Sequence, residues 1–210
     1  MPKRGIFLCL LLGSWCGATS LEAQDTLESS NSLQSCEWCG SQDAPDSLSW
    51  RVVISPEDEP GEKLIVSGTV FQPDGRTPAE GITVYVYHTN SHGVYPKRGN
   101  EAGNGRRHGY LRGWMKTNKD GKYEFETIKP HAYPDQVQNP AHIHYTIDGP
   151  DFEEYWIHSV LFKGDPLLQE EDDIDTSRTG GTPRIIELTK DKDGVLRGVK
   201  DIILRKPNES

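Results

Sequence analysis

From Trp50 onward the chain alternates short apolar runs with polar turns. Arg51-Val52-Val53-Ile54, Lys63 to Phe71 and Gly81 to His88 are rich in β-branched and aromatic residues and alternate in polarity, which predicts strands. Gln72-Pro73-Asp74-Gly75-Arg76 reads as a turn, because Pro fixes φ and Gly permits a positive one. Trp114–Thr117 and Lys122–Ile128, joined by Asn118-Lys119-Asp120-Gly121, predict a hairpin. Strands follow around His142 and over Ile157–Phe162. Arg184–Leu188 and Val199–Leu204, around the turn Asp191-Lys192-Asp193-Gly194, predict a closing hairpin. No segment carries the spacing of an amphipathic helix. Many short strands with tight turns predict an all-β fold, a β-sandwich with a Greek-key-like core and long functional loops.

The N-terminal pattern is different. Lys3 and Arg4 precede a short apolar core, Ile6 to Cys16, and the small residues Ala18-Thr19-Ser20. This predicts a signal peptide over 1–20 and a secreted or extracytoplasmic protein. Gly13-Ser14-Trp15-Cys16 resembles a bacterial lipoprotein site, but Trp15 is bulky where a small residue is usual, so simple secretion is favoured over lipid anchoring. Residues 21–49 form a polar leader or linker, and 50–206 the folded domain. Cys36 and Cys39 stand as Cys-x-x-Cys in that leader. In an exported chain a local disulfide is the favoured reading, with half a zinc knuckle or a redox pair as alternatives.

Composition narrows the function classes. The 210 residues include 21 Gly and 14 Pro, which suits turns better than long helices. A net charge of −9 argues against a nucleic-acid partner. No internal run is long enough for a transmembrane span.

Candidate chemistry begins at Pro140-Ala141-His142-Ile143-His144-Tyr145. On a strand, His142 and His144 share one face and can converge on a metal; a hydrogen-bonded or solvent-facing pair is the plain alternative. Upstream, Tyr133 lies in the loop Lys129-Pro130-His131-Ala132-Tyr133-Pro134, and a phenolate is a hard donor suited to Fe(III). A glycine-rich basic loop, residues 90–113, contains Lys97, Arg98, Arg106, Arg107 and Arg112 and reads as functional or as a solvated surface loop. His88, His92, His108, His131 and His158 read as surface or packing residues, with His131 close enough to Tyr133 to support it.

Taken in order, several of these stretches form a pattern over residues 64–166. They are the Gly68-Thr69-Val70 to Val84-Tyr85-Val86-Tyr87 strand-turn-strand, Gly93-Val94-Tyr95, Asp120 to Pro130 followed by Tyr133-Pro134, Pro140-Ala141-His142-Ile143-His144, and Phe162-Lys163-Gly164-Asp165-Pro166. The chain thereby resembles the intradiol ring-cleavage dioxygenases, such as the protocatechuate and catechol dioxygenases. The resemblance implies a mononuclear non-haem Fe(III) held by Tyr95, Tyr133, His142 and His144. It implies that a catecholic substrate chelates the iron, with Tyr95 as ligand and base, and that O2 is inserted between the two hydroxylated carbons to give a diacid. Association into homo-oligomers is compatible with it. Two departures stand out. Asn139 occupies a position where an arginine is common in the family, and Ser159 one where a glutamine is common. Neither brings a full positive charge, and Arg106, Arg107 or Arg112 would have to compensate. The alternative reading is a binding module that keeps the fold, and the metal with it, without turnover. A zinc-binding surface protein would leave the two tyrosines unexplained.

Overall fold

A computed structural model of the chain describes residues 39–135, 139–173 and 180–206. The signal-like segment, Cys36 and most of the polar leader lie outside the described residues. Among the described residues the strands are β1 (Arg51–Val53), β2 (Lys63–Phe71), β3 (Thr83–His88), β4 (Arg112–Lys116), β5 (Lys122–Ile128), β6 (His142–Gly149), β7 (Phe152–Phe162), β8 (Ile185–Ile186), β9 (Thr189–Lys190), β10 (Leu196–Val199) and β11 (Ile202–Ile203). One sheet runs β1-β5-β2-β10-β9, with β11 also paired to β2; the other runs β4-β3-β6-β7-β8. The two face each other as the expected sandwich.

The alternation along each strand explains why the sheets stack. Leu64, Val66, Val70, Tyr123 and Phe125 of the first sheet and Val84, Val86, Met115, Ile143, Tyr145, Ile147, Ile157 and Val160 of the second form one buried core. Burial of each such side chain contributes roughly 1.5–3 kcal/mol. The opposite parity of the second sheet points away from this core: Tyr85 and Tyr87 on β3 stand beside Thr146 and His144 on β6. Residue parity thus puts the histidine pair on the outer face of a sheet whose inner face is mostly apolar.

Both predicted hairpins are wired differently. The turn after β4 forms, with Gly121 N–H donating to Asn118 O at 2.8 Å. However, β4 pairs with β3 and β5 pairs with β2, so the chain crosses from one sheet to the other at that turn. Met115 and Phe125 therefore meet in the core from opposite sides, which a flat hairpin would not allow. At the C-terminus the antiparallel pair is β9–β10, whereas β8 joins β7 in parallel and β11 joins β2 in parallel. Two-residue strands cannot sustain a hairpin of their own, and each is captured by a longer strand whose edge it covers.

Packing also begins before Trp50, the start that composition suggests. Residues 39–44 lie across the outer face of the second sheet. Glu154 accepts from Gly40 N–H at 2.9 Å and Ser41 N–H at 3.0 Å, and the Trp114 indole N–H donates to Gly40 O at 2.8 Å. Asp43 accepts from Asn104 N–H at 2.7 Å and pairs with Arg112 at 2.8 Å. Cys39 is disulfide-bonded; the bridge expected with Cys36 falls on a residue outside those described.

His88, read from sequence as a packing residue, ties the sheets together. It is fully buried, bonds Thr89 O through Nδ1 at 2.7 Å, and meets Thr127 Oγ1 of β5 through Nε2 at 2.7 Å. Burial pushes its pKa down from 6.5 to about 4. Between those values the unfolded chain takes up a proton and the folded chain does not, so stability is lost as pH falls from 6.5 to 4. The expected loss from this residue is about 3 kcal/mol. Urea midpoints measured across that range should fall steeply for the native protein and visibly less for His88→Gln. Equal slopes would show that His88 is not the buried neutral group described.

Candidate metal centre

Two loops and one strand bring four side chains together. The first loop, residues 90–96, turns tightly on Asn90, whose side-chain oxygen accepts from His92 N–H at 3.0 Å and Val94 N–H at 3.2 Å. Gly93 holds φ +75° there. It lies so close to Ala132 O that a Cβ would overlap it. Gly109, at φ +69°, makes a similar backbone approach to Pro96. The chain around Tyr95 is thus held between the segment carrying Tyr133 and the end of a short helical turn, Gly105–His108. Strand β6 supplies His142 and His144.

The result is a cluster of four donor atoms. Tyr95 Oη lies 2.5 Å from Tyr133 Oη and 2.9 Å from His144 Nε2. Tyr133 Oη lies 3.2 Å from His142 Nε2 and 3.3 Å from His144 Nε2. The two Nε2 atoms are 3.1 Å apart. The imidazoles are fixed from behind. The Pro140 carbonyl can only accept, so His142 donates to it from Nδ1, at 2.7 Å, and His142 Nε2 presents a lone pair to the cluster. Ser159 Oγ holds Nδ1 of His144 at 3.0 Å. Tyr87 stacks on the His144 ring with centroids 4.4 Å apart, and His108 stacks on Tyr87 at 3.7 Å.

This donor set suits a metal. Two imidazole lone pairs and two phenol oxygens crowd one point, and either two phenol protons or one cation can hold them together. Atoms spaced at these distances surround a point roughly 2 Å from each, the length of nitrogen and oxygen bonds to transition metals. Among the described residues no third His, Cys, Asp or Glu joins to make a cluster of those types. The groups in the cluster able to become anionic are the two tyrosines, and phenolate oxygens would suit a hard trivalent ion. Burial works in the expected direction on each group. It raises both phenols, Tyr95 further through its contact with Tyr133, while that contact lowers Tyr133. It lowers His142, and it lowers His144 well below the usual range, with the neighbouring imidazoles adding to the effect. Burial thus favours the neutral imidazoles that could ligate a cation, and a cation bound there would displace the two phenol protons. Tyr95, Tyr133 and His144 are half-buried, which leaves the cluster open to a small molecule.

The supporting residues suggested by sequence divide. Ser159 touches a candidate ligand directly, and half-buried Asn139 heads the Pro140 lead-in. His131 is exposed and its Nδ1 bonds Ala132 O at 3.0 Å, so it steadies the loop rather than the donor atoms. Arg112 pairs with Asp43 and lies over the Trp114 ring, while Arg106 and Arg107 are exposed. The basic loop thus contributes Tyr95 and a framework. The guanidinium whose charge acts on His142 is that of Arg184. Sequence reading missed it, because Arg184 stands just before a two-residue strand, some forty positions from the histidines, and has no local pattern to mark it.

Known proteins are similar to this chain in sequence and fold. The sequence model described as "Dioxygenase" matches residues 46–200. Catechol 1,2-dioxygenase 1 of Acinetobacter lwoffii is 31% identical over 169 residues, covering 71% of this chain and 50% of that one. The protocatechuate 3,4-dioxygenase beta chain of Burkholderia cepacia is 30% identical, covering 69% of this chain and 65% of that one. This chain therefore spans about half to two thirds of the length of these relatives. The dioxygenase domain of a dioxygenase–carbohydrate-binding fusion from Streptomyces sp. SirexAA-E has the same fold, with a TM-score of 0.57 at 24% identity over 78% of this chain and 92% of that one. The match across the sandwich, from the first strand to the strands that close it, makes this chain a member of the intradiol ring-cleavage dioxygenase family.

Proposed function

We propose that the chain holds ferric iron through Tyr95, Tyr133, His142 and His144 and cleaves a catechol between its hydroxylated carbons with O2. The observation that carries this reading is the convergence of two phenol oxygens and two imidazole nitrogens within 2.5–3.3 Å. When bound, the ion supplies Lewis acidity that draws in both substrate hydroxyls and eases their ionisation. The chain's own residues do the rest. His142 and His144 stay neutral and fixed in direction by Pro140 O and Ser159 Oγ. Tyr133 stays as a permanent anionic donor. Tyr95, on its own loop, accepts a proton from a substrate hydroxyl at its phenolate oxygen and turns aside as a neutral phenol. The outer-face location keeps the reaction away from the sandwich core, so substrate exchange requires no opening of the sheets.

We further propose that the protein works outside the cytoplasm. The signal-like N-terminus and the disulfide at Cys39 support this, since such bridges persist in oxidising compartments.

Purified protein reconstituted with ferric iron should be visibly coloured, because phenolate-to-iron charge transfer absorbs in the visible. Adding catechol in air should shift the band and consume O2. A preparation that stays colourless after reconstitution would overturn the metal assignment. A coloured protein whose band shifts with catechol while O2 is untouched would identify a binding module instead.

A further inference from the structure

Behind the donor cluster lies a buried phenol whose setting plain packing does not explain. Tyr85 is fully buried, and its Oη lies 2.7 Å from Nδ1 of buried His108. The Arg112 guanidinium donates to the same oxygen and can accept nothing, so the phenol proton points at His108 Nδ1. That choice leaves Nε2 of His108 buried with its proton and without a hydrogen-bond partner. The reverse tautomer is worse, because it strands the phenol proton as well as a bare Nε2. Such a buried orphan calls for a reason, since two apolar rings would fill the same space without it.

Ring contacts run from this pair in two directions. Tyr85 stacks on Tyr87 with centroids 5.6 Å apart, and Tyr87 stacks on His144 at 4.4 Å and lies 5.9 Å from the Tyr95 ring. On the other side Tyr85 stacks on half-buried Trp114 at 5.1 Å. Contacts this close let an electron pass from ring to ring in short steps. Arg112 lies 4.9 Å over the Trp114 ring and beside the Tyr85 oxygen, so its charge opposes a cation radical at either ring. A missing electron therefore settles only where a proton leaves with it. The Trp114 indole N–H donates to the Gly40 carbonyl, which is no base. Tyr85 has an imidazole in contact, and burial holds His108 at about 4, below its ordinary 6.5, so that it is a neutral acceptor at rest. Asp43 pairs with Arg112 at 2.8 Å, so an imidazolium formed there joins a charge-balanced pocket. Gly40 closes that pocket, lying so close on the Tyr85 ring that a Cβ would overlap it. The 39–44 brace thereby keeps water off the phenol.

We propose that Tyr85 and His108 form a redox-active site, in which Tyr85 loses one electron through Tyr87 or Trp114 while its phenol proton passes to His108 Nδ1. The oxidant is a radical derived from peroxide, which gains the electron and ends as hydroxide or alkoxide. The products on the protein are a neutral Tyr85 phenoxyl radical and a His108 imidazolium. A diphenol at the donor cluster reverses the step. It gives one electron through Tyr87 and a proton to solvent, His108 returns its proton to Tyr85, and the diphenol leaves as its one-electron-oxidised radical. The site thus draws oxidising equivalents away from the four donor side chains. The link to the cluster rests on the ring-cleavage reading above, whereas the redox pair itself does not.

The test uses metal-free protein and azide radicals made by pulse radiolysis, which become azide ions on taking one electron from an indole or phenol. Tryptophanyl and tyrosyl radicals absorb in separate bands. In the native protein the first should decay into the second at a rate independent of protein concentration. Trp114→Phe and Tyr85→Phe should each remove the same share of that phase, and the double variant no more than either alone, as expected of one route. His108→Gln keeps a hydrogen-bond acceptor but no base, so it should slow that share at least about tenfold and abolish the slowing that D2O causes in the native protein. A phase unchanged in Tyr85→Phe, or unchanged in rate in His108→Gln, would overturn the proposal. If Tyr85→Phe does not fold, His108→Gln and the effect of D2O on the native protein decide the matter. A second arm exposes iron-loaded protein to hydrogen peroxide and reads oxidation of the peptide carrying His142 and His144 by mass spectrometry. That oxidation should rise several-fold in Tyr85→Phe, and an unchanged level would overturn the link to the cluster. A protein that holds no iron yet keeps the Tyr85-dependent phase supports the redox pair and counts against the ring-cleavage reading alone.

Discussion

Replacing His144 with alanine is expected to abolish iron retention and lower ring cleavage by more than about a thousandfold. The residue serves three contacts at once. Its Nε2 lies within 2.9–3.3 Å of all three other donor atoms, its Nδ1 is held by Ser159, and its ring stacks on Tyr87. Alanine removes the donor and leaves a gap between Tyr87 and the phenols, so the remaining atoms lose both a ligand and their spacing. The fold should survive, because the side chain lies on the outer face of the sheet and takes no part in the apolar core. The informative measurement is iron content per chain together with the thermal midpoint. Lost iron with a nearly unchanged midpoint is the expected pair. Iron retained at one per chain would show that His144 is not a ligand.

Gly93→Ala is expected to do comparable damage without touching a single donor atom. At φ +75° an alanine is strained, and its Cβ would overlap Ala132 O. A residue forced into such a region costs roughly 1–3 kcal/mol, and relief requires the 90–96 loop to draw away from the 131–134 loop. Those two loops carry Tyr95 and Tyr133, whose oxygens are 2.5 Å apart. Separation of the loops should weaken or shift the visible band and lower activity at least about a hundredfold, as expected when a reacting group is misplaced by an ångström. Absorption spectra of the reconstituted variant provide the check. A native spectrum would mean that Tyr95 does not depend on this loop contact.

These two substitutions mark how far local pattern reaches. The strands were legible because burial enforces alternation. Lys63–Phe71 forms β2 as expected, and His142 and His144 share a face because side chains on a strand repeat every two residues. The four candidate ligands were named through family resemblance, residue by residue, and the geometry brings these four side chains together. Sheet membership was not legible. The turn at Asn118–Gly121 forms in either wiring, and only the competition of β3 and β2 for partners separates β4 from β5. Nor was the fate of the charges. Arg112 looked available in sequence and is engaged by Asp43, from a leader that composition set apart from the domain.

The sequence by itself determined an all-β sandwich, the face on which the histidine pair stands and the kinds of donor on offer, because strand periodicity and side-chain chemistry are local properties. Only the tertiary structure decided that Tyr95 and Tyr133 meet those histidines, that residues 39–44 brace the outer face, and that Arg184 rather than the basic loop brings its charge to His142. Each of these depends on segments far apart in the chain being brought together by sheet pairing and by the close backbone approach at Gly93.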